Sequence, residues 1–134
     1  MPCKICKEKP VIQLTNSDIK LCKSCFIKYF EKKTLRTIKK YDLISRKEHV
    51  VAAVSGGKDS LSLLFLLNKL VSKKIDFKLS ALLIDEGIKG YRDGTIETAK
   101  EFCQKNNIPL HITSYKEVTG KTLDNIKKQF HGTI

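Results

Sequence analysis

The 134-residue sequence has no tryptophan, one methionine, three prolines and only 14 acidic residues, against 26 lysines and arginines. No stretch approaches the roughly 18 consecutive apolar residues that a membrane-spanning helix needs, so we expect no membrane association. The first residues are not followed by the apolar core of a secretory signal, and we therefore expect a cytoplasmic protein. Internal repeats and low-complexity tracts are also missing, which excludes a repeat architecture.

The formal net charge is +12, and it is spread unevenly along the chain. Residues 1–50 hold thirteen of the basic residues and only five of the acidic ones. A basic excess of this size raises the local concentration of polyanions. Charge alone leaves two interpretations open, a lysine-rich surface that serves solubility and a surface that binds nucleic acid.

Four of the five cysteines form two C-x2-C pairs that are fifteen residues apart: Cys3, Cys6, Cys22 and Cys25. Each such turn can aim two thiolates at one point, and two turns can close a tetrahedron around Zn²⁺. In a reducing compartment, metal binding is favoured over disulfides. We predict a zinc knuckle over residues 1–26, with an iron–sulfur cluster or a redox pair as alternatives. The fifth cysteine, Cys103, is expected in the core.

Apolar residues recur every three or four positions over residues 26–44, which predicts an amphipathic helix within a basic linking segment, residues 27–48. The polar face of this helix is basic: Lys28, Lys32, Lys33, Arg36, Lys39 and Lys40. A solvated helix face and a strip that faces the phosphates of a nucleic acid are both consistent with this pattern.

Residues 49–134 are predicted to form an α/β domain. Three short β-branched or apolar runs predict buried strands, at residues 49–54, 78–84 and 110–114. Helices are predicted between and after them, at residues 60–71, 95–106 and 122–130, with a cap at Thr95 and a stop at Asn106 and Asn107. The first of these helices is apolar on most sides and is expected to be largely covered. This order predicts right-handed crossovers and a parallel sheet covered on both faces.

The sequence Ser-Gly-Gly-Lys-Asp-Ser at residues 55–60, here called the glycine loop, lies between the first of these strands and its helix. Glycines let the backbone approach an anion, and the N-terminus of a helix offers unpaired N–H groups. We expect Gly57 to need either that close approach or a positive φ. Ala52 and Asp59 stand where a Walker A loop needs Gly and Ser or Thr, and the three-glycine dinucleotide fingerprint is also missing.

The glycine loop resembles the SGGxDS signature of the PP-loop ATP pyrophosphatases at all six positions. A second segment, Gly-Ile-Lys-Gly-Tyr-Arg-Asp at residues 87–93, is similar to the GI-x-GYR segment of tRNA 2-thiolation enzymes of the TtuA/TtcA type. The cysteine knuckle and basic helix resemble the 2-thiouridine branch of that family. The resemblance implies an adenine nucleotide alpha hydrolase-like fold, here incomplete, with a small zinc knuckle.

The activity implied by the resemblance is ATP-dependent adenylation of a tRNA base carbonyl, followed by sulfur transfer. Lys58 and Asp59 are the implied catalytic residues, and Asp59 is the implied ligand of Mg²⁺. The remaining residues implied to bind ATP lie in the loop and at two strand ends: Ala53, Val54, Ser55, Gly56, Gly57, Ser60, Leu83 and Ile84. Another PP-loop ligase, such as an amidotransferase or an NAD synthetase-like protein, is a further alternative. The segment at 87–93 and the knuckle both disfavour it.

The family also carries a later C-x2-C pair and a further cysteine, which hold an iron–sulfur cluster or transfer sulfur, and their counterparts are absent here. The sequence therefore looks like the N-terminal part of such an enzyme. A gene fragment, a split subunit and a truncated chain all fit. The implied partner is tRNA, and a sulfur-carrier protein, a second chain with the missing half and a homodimer are further candidates. The non-catalytic alternative is a zinc- and nucleotide-binding module that holds RNA or a partner.

Overall fold

The computed structural model describes residues 1–73, 75–88, 90, 93–123 and 125. The chain divides into two compact units, Met1–Ile44 and Ser45–Ile134. No helix in the described ranges is long and apolar enough to cross a membrane.

The first unit combines a short antiparallel hairpin with one long helix. The hairpin strands are β1, Ile12–Gln13, and β2, Lys20–Leu21, and the helix is α1, Lys23–Lys40. Helix α1 starts and ends earlier than the predicted 26–44. It starts at the second cysteine pair, with Cys22 as its extended N-cap. It ends because Asp42 adopts a left-handed φ of 49°, after which the Leu43 N–H returns to the Ile38 carbonyl.

The cysteines of this unit lie in a small apolar core. Leu21 is 1% exposed beside the buried cysteines of the first unit, and four partly buried hydrophobic side chains pack around them: Leu14, Ile19, Phe26 and Tyr29. The sequence shows no long apolar period in residues 1–26, and the apolar core is not visible from it. Because the hairpin is only two residues long on each side, its apolar residues form no period that a sequence pattern can show.

The second unit contains a parallel sheet of three strands in the order β3-β4-β5. The strands are β3, His49–Ala53, β4, Lys78–Asp85, and β5, Leu110–Ser114, each within one residue of its predicted ends. Helix α2, Lys58–Lys73, follows β3, and helix α3, Asp93–Lys105, follows β4. The parallel α/β fold predicted from the sequence is confirmed.

The core of this unit lies between the sheet and helices α2 and α3. The sheet and these two helices contribute these buried side chains among others: Ala52, Leu64, Leu67, Ala81, Leu83, Ala99 and Cys103. Cys103 is 2% exposed and burial raises the pKa of its thiol, which confirms its expected place in the core. Right-handed crossovers between successive neighbouring strands place both helices on the same face of the sheet.

The expectation of a sheet covered on both faces is wrong for the described residues. Val51 pairs in register with Ser80, so Val51 and Ile84 share the face opposite the two helices. These two side chains are 51% and 44% exposed. Helix α2 is also less covered than expected, since Leu63 and Phe65 are 46% and 44% exposed. The apolar composition of a helix does not show which of its sides packs against the sheet.

One predicted helix feature needs correction, one is confirmed, and one falls mostly outside the described residues. Helix α3 begins at Asp93, so Thr95 lies inside its first turn and is not the cap. The predicted stop is confirmed, because Asn107 has a φ of 54° and the helix ends two residues earlier. A short helix α4, Tyr115–Thr119, was not predicted, although its Ser114–Glu117 capping box is visible in the sequence. Most of the predicted helix at 122–130 falls outside the described residues.

Candidate functional site

The glycine loop lies at the carboxyl end of β3 and leads directly into α2. Val54 continues the strand pairing, with its N–H donating to the Leu82 carbonyl at 2.9 Å. Ser60 then joins the two ends of the loop: its Oγ accepts from the Ser55 N–H at 3.2 Å and donates to the Gly57 carbonyl at 3.1 Å. The Gly57 N–H donates to Ser55 Oγ at 3.3 Å. The two serine side chains therefore shape the loop as well as offering hydroxyls to a ligand.

The loop requires a residue without a side chain at Gly56. Its φ is +82°, and a Cβ built on it would meet the backbone carbonyl of Thr95 closer than real Cβ contacts allow. Gly57 has no left-handed φ, and its Cβ would meet only Ser55 Oγ at 3.4 Å. Of the two reasons expected for Gly57, the positive φ is wrong, because the positive φ lies at its neighbour Gly56, while close approach to a ligand stays a prediction. The sequence identified Thr95 only as a helix cap and not as a neighbour of the loop, because no local pattern reports a contact 39 positions away.

Lys58 and Asp59, the two implied catalytic residues, lie in the first turn of α2 and pair with each other. Lys58 Nζ lies 2.7 Å from Asp59 Oδ1, and both side chains are 90% exposed. The hydrogen bond to Asp59 raises the pKa of Lys58, so the lysine is charged at neutral pH. An N-terminal helix turn with a lysine and free access from solvent favours an anionic ligand.

The carboxyl end of β4 lies beside that of β3, as the predicted nucleotide pocket requires. Leu83 is fully buried and Ile84 is 44% exposed, so the backbone rather than the Leu83 side chain is available at this edge. The strand ends at Asp85, whose Oδ1 accepts from the Gly87 N–H at 2.9 Å. Asp85 was not among the predicted site residues. Its position directly after the strand predicted at residues 78–84 is the signal that could have identified it.

The segment at residues 87–93, here called the second glycine segment, contacts a later part of the chain at Gly87. Gly87 has a φ of +71°, and a Cβ on it would lie 2.8 Å from the Cβ of Thr122. The Leu123 N–H donates to the Glu86 carbonyl at 3.1 Å, which holds residues 122 and 123 against the same turn. Three residues of this segment, at 89, 91 and 92, are outside the described residues.

The four N-terminal cysteines converge as the spacing predicts. Their Sγ atoms all lie within 4.8 Å of one another, and all but Cys6 are buried. A tetrahedral zinc site with Zn–S bonds of about 2.3 Å separates its sulfurs by about 3.8 Å, so the cluster matches that size. The first pair lies in the turn before β1, where the Lys7 N–H donates to the Cys3 carbonyl at 3.1 Å. The second pair spans the start of α1, with Cys25 in its first turn.

The local environments of these thiols differ. A backbone hydrogen bond from Cys6, with smaller contributions from neighbouring groups, lowers the pKa of Cys3 to about 6. The Ser24 hydroxyl, 3.3 Å from Cys22 Sγ, lowers the pKa of Cys22. Burial raises the pKa of Cys25 to about 12. A metal ion binds thiolates and displaces their protons. A bound cation would therefore stabilise the thiolate of Cys25, which burial disfavours.

Comparison with known proteins agrees with the fold and the loop. The family model of the PP-loop domain matches residues 27–130, and the chain belongs to this family. The archaeal tRNA-5-methyluridine(54) 2-sulfurtransferase of Pyrococcus horikoshii is 37% identical over 127 residues, which are 95% of this chain and 39% of that protein. The cytoplasmic tRNA 2-thiolation protein 1 of Danio rerio is 42% identical over 130 residues, which are 95% of this chain and 38% of that protein.

A solved structure shows the same architecture. The U34-tRNA thiolase NcsA of Methanococcus maripaludis, determined with its [4Fe-4S] cluster, has a TM-score of 0.82 and is 34% identical. The match covers 94% of this chain and 42% of that one. The chain thus spans about two fifths of the length of these relatives and corresponds to their N-terminal part. The homologues are tRNA 2-thiolation proteins, as the resemblance implied.

Proposed function

We propose that this chain supplies the ATP-binding part of an enzyme that thiolates tRNA at a base carbonyl carbon. The observation that carries the proposal is the glycine loop, with Gly56 at a φ of +82° between a parallel strand and a helix. Relatives that are 37% and 42% identical over nearly the whole chain are named as tRNA 2-thiolation proteins, which supports tRNA as the substrate.

The reaction that we propose has two displacements. A base carbonyl oxygen attacks the α-phosphorus of ATP, the bond to the bridging oxygen breaks, and pyrophosphate leaves. A sulfur nucleophile then attacks the base carbon that carries the adenylated oxygen, and AMP departs with that oxygen. Adenylation matters because the carbonyl oxygen is a poor leaving group until it carries the phosphoryl group.

The loop residues are assigned to the phosphates that leave. The backbone N–H groups at the start of α2 bind the β- and γ-phosphates, and Lys58 neutralises the charge that develops on pyrophosphate. Ala53, Val54 and the backbone at Leu83 and Ile84 line the nucleotide pocket. Asp59 holds Mg²⁺, which makes pyrophosphate a better leaving group. On binding of the nucleotide, the contact between Lys58 and Asp59 gives way to contacts with phosphate and cation.

The remaining assignments concern metal, sulfur and location. The four cysteines hold a structural Zn²⁺, and an iron–sulfur cluster is the alternative ligand. Sulfur transfer is assigned to a segment or second chain outside these residues, with a sulfur-carrier protein as the donor and a homodimer as a possible assembly. A cytoplasmic location is proposed because a relative carries that word in its name.

Incubation of the chain with Mg²⁺, tRNA and ATP labelled at the α-phosphate tests this function. We expect pyrophosphate release and transfer of the α-phosphate label to the tRNA, with AMP released when a sulfur donor is added. Formation of ADP and inorganic phosphate would contradict the proposed bond cleavage. Binding of both ATP and tRNA without any turnover would favour the second candidate, a nucleotide- and RNA-binding module.

A further inference from the structure

A set of basic side chains on α1 lines one open depression on the surface of the first unit. Together with one leucine they form what is here called the basic groove: Lys32, Leu35, Arg36, Lys39 and Lys40. Their spacings of three and four residues place them on one side of the helix. At 1.5 Å rise per residue, the charges at 32, 36 and 40 succeed one another every 6 Å or so along the axis.

The groove contains cations that the protein itself does not engage. Lys40 lies over the Tyr41 ring, with Nζ 5.0 Å from its centre, and Lys33, beside the groove, lies over Tyr29. By contrast, no ion pair or hydrogen bond joins the side chain of Lys32, Arg36 or Lys39 to another residue in the part of the chain that the structure describes. All three side chains are exposed.

The distribution of charges on helix α1 disfavours a surface that serves only solubility. Helix α1 carries seven basic residues and a single acidic one, Glu31. The helix neighbours of Glu31 at three and four positions onward are Thr34 and Leu35, so it does not interrupt the row of cations from 32 to 40. Surfaces that keep a protein soluble intersperse charges of both signs, whereas a row of one sign attracts a polyanion.

We propose that the basic groove binds the phosphate backbone of the tRNA. The inference rests on the proposed function, which makes tRNA the substrate, and it adds where on the first unit that substrate is held. Phosphates complement the unpaired cations in charge, and the planar guanidinium of Arg36 can donate two parallel hydrogen bonds to one phosphate. The half-buried Leu35 separates the cations and offers no hydrogen-bond donor, so the groove recognises backbone and not base sequence.

The test compares two triple variants that remove the same charge. Lys32→Gln, Arg36→Gln and Lys39→Gln neutralise the groove. The control, Lys73→Gln, Lys105→Gln and Lys116→Gln, neutralises three exposed lysines of the second unit. Binding of tRNA is measured for each protein from 50 to 200 mM salt, with ATP binding and metal content as measures of intact folding.

We expect the groove variant to lose at least tenfold in tRNA affinity at low salt. Its slope of log K against log salt falls by about two to three, because each phosphate contact contributes about 0.7 to 0.9. The control variant changes affinity by less than threefold, and ATP binding is unchanged in both.

Each other result overturns the inference in a distinguishable way. Equal losses in the two variants mean that the attraction is diffuse, and no loss in either means that the groove is solvated. A wild-type preference for polyglutamate over tRNA at equal salt assigns the groove to an acidic protein. Should the wild-type chain fail to bind tRNA at all while binding ATP, the tRNA substrate of the proposed function fails together with the groove.

Discussion

The backbone carbonyl of Thr95 in the first turn of α3 lies against Gly56 of the glycine loop, within 3.0 Å of the position that a Cβ on Gly56 would take. This contact ties the loop that follows β3 to the helix that follows the second glycine segment. A glycine is required at residue 56 both because of the contact and because its φ is +82°.

Two alanine substitutions separate the roles of the adjacent glycines. Gly56→Ala should destabilise the second unit, with the left-handed φ alone costing about 1–3 kcal/mol, and should abolish ATP binding. Gly57→Ala should leave the stability near the wild-type value, since its Cβ would meet only Ser55 Oγ at 3.4 Å. Thermal unfolding and ATP titration measure the two effects. Equal melting temperatures for the two variants would show that the Thr95 contact does not constrain the loop.

The pairing of Lys58 with Asp59 predicts how the loop uses Mg²⁺. Asp59→Asn should remove most of the Mg²⁺ dependence of ATP binding while leaving part of the binding itself, because the lysine and the helix N-terminus remain. Glu97→Gln is the matched control, since Glu97 is an exposed carboxylate that pairs with Lys100 at 3.1 Å. ATP affinity is titrated at increasing Mg²⁺ for both variants. An unchanged Mg²⁺ dependence in Asp59→Asn would place the cation on another residue.

The cysteine cluster predicts one metal ion per chain. Elemental analysis of protein prepared without oxygen should find one Zn²⁺ and no absorbance from an iron–sulfur cluster. Cys22→Ser should lose the metal and the fold of the first unit, since metal binding and folding are coupled in small sites. Cys103→Ser, which alters a buried cysteine outside the cluster, should keep it. Iron with visible absorbance in the wild type, or metal retained in Cys22→Ser, would refute the zinc assignment.

Burial along α2 predicts unequal costs for neighbouring leucines. Leu64 is 0% exposed, so Leu64→Ala should destabilise the protein by about 2–5 kcal/mol through lost burial and a cavity. Leu63 is 46% exposed, and Leu63→Ala should change the free energy of unfolding by no more than about 0.5 kcal/mol, as is usual for a surface substitution. Urea denaturation of both variants measures the difference. Similar losses would mean that Leu63 is covered by another part of the protein.

The strands were predictable because their apolar runs are bounded by charged residues and glycines. The ends of β3 and β5 at Ala53 and Ser114 follow these boundaries closely. The glycine loop was predictable for a similar reason, since its chemistry is local. The contact between Gly56 and Thr95 was not, because it depends on how α3 returns to the sheet. Likewise, composition alone does not reveal which side of α2 is exposed, as Phe65 shows.

Competition among nucleotides tests the central claim, that residues 55–60 hold the pyrophosphate part of ATP. The chain is loaded with a fluorescent ATP analogue and Mg²⁺, and unlabelled ATP, pyrophosphate and AMP are titrated separately against it. We predict that ATP and pyrophosphate displace the analogue and that AMP does so poorly, because AMP lacks both phosphates that the loop binds. Displacement by AMP as effective as that by ATP, with no effect of pyrophosphate, would contradict the account.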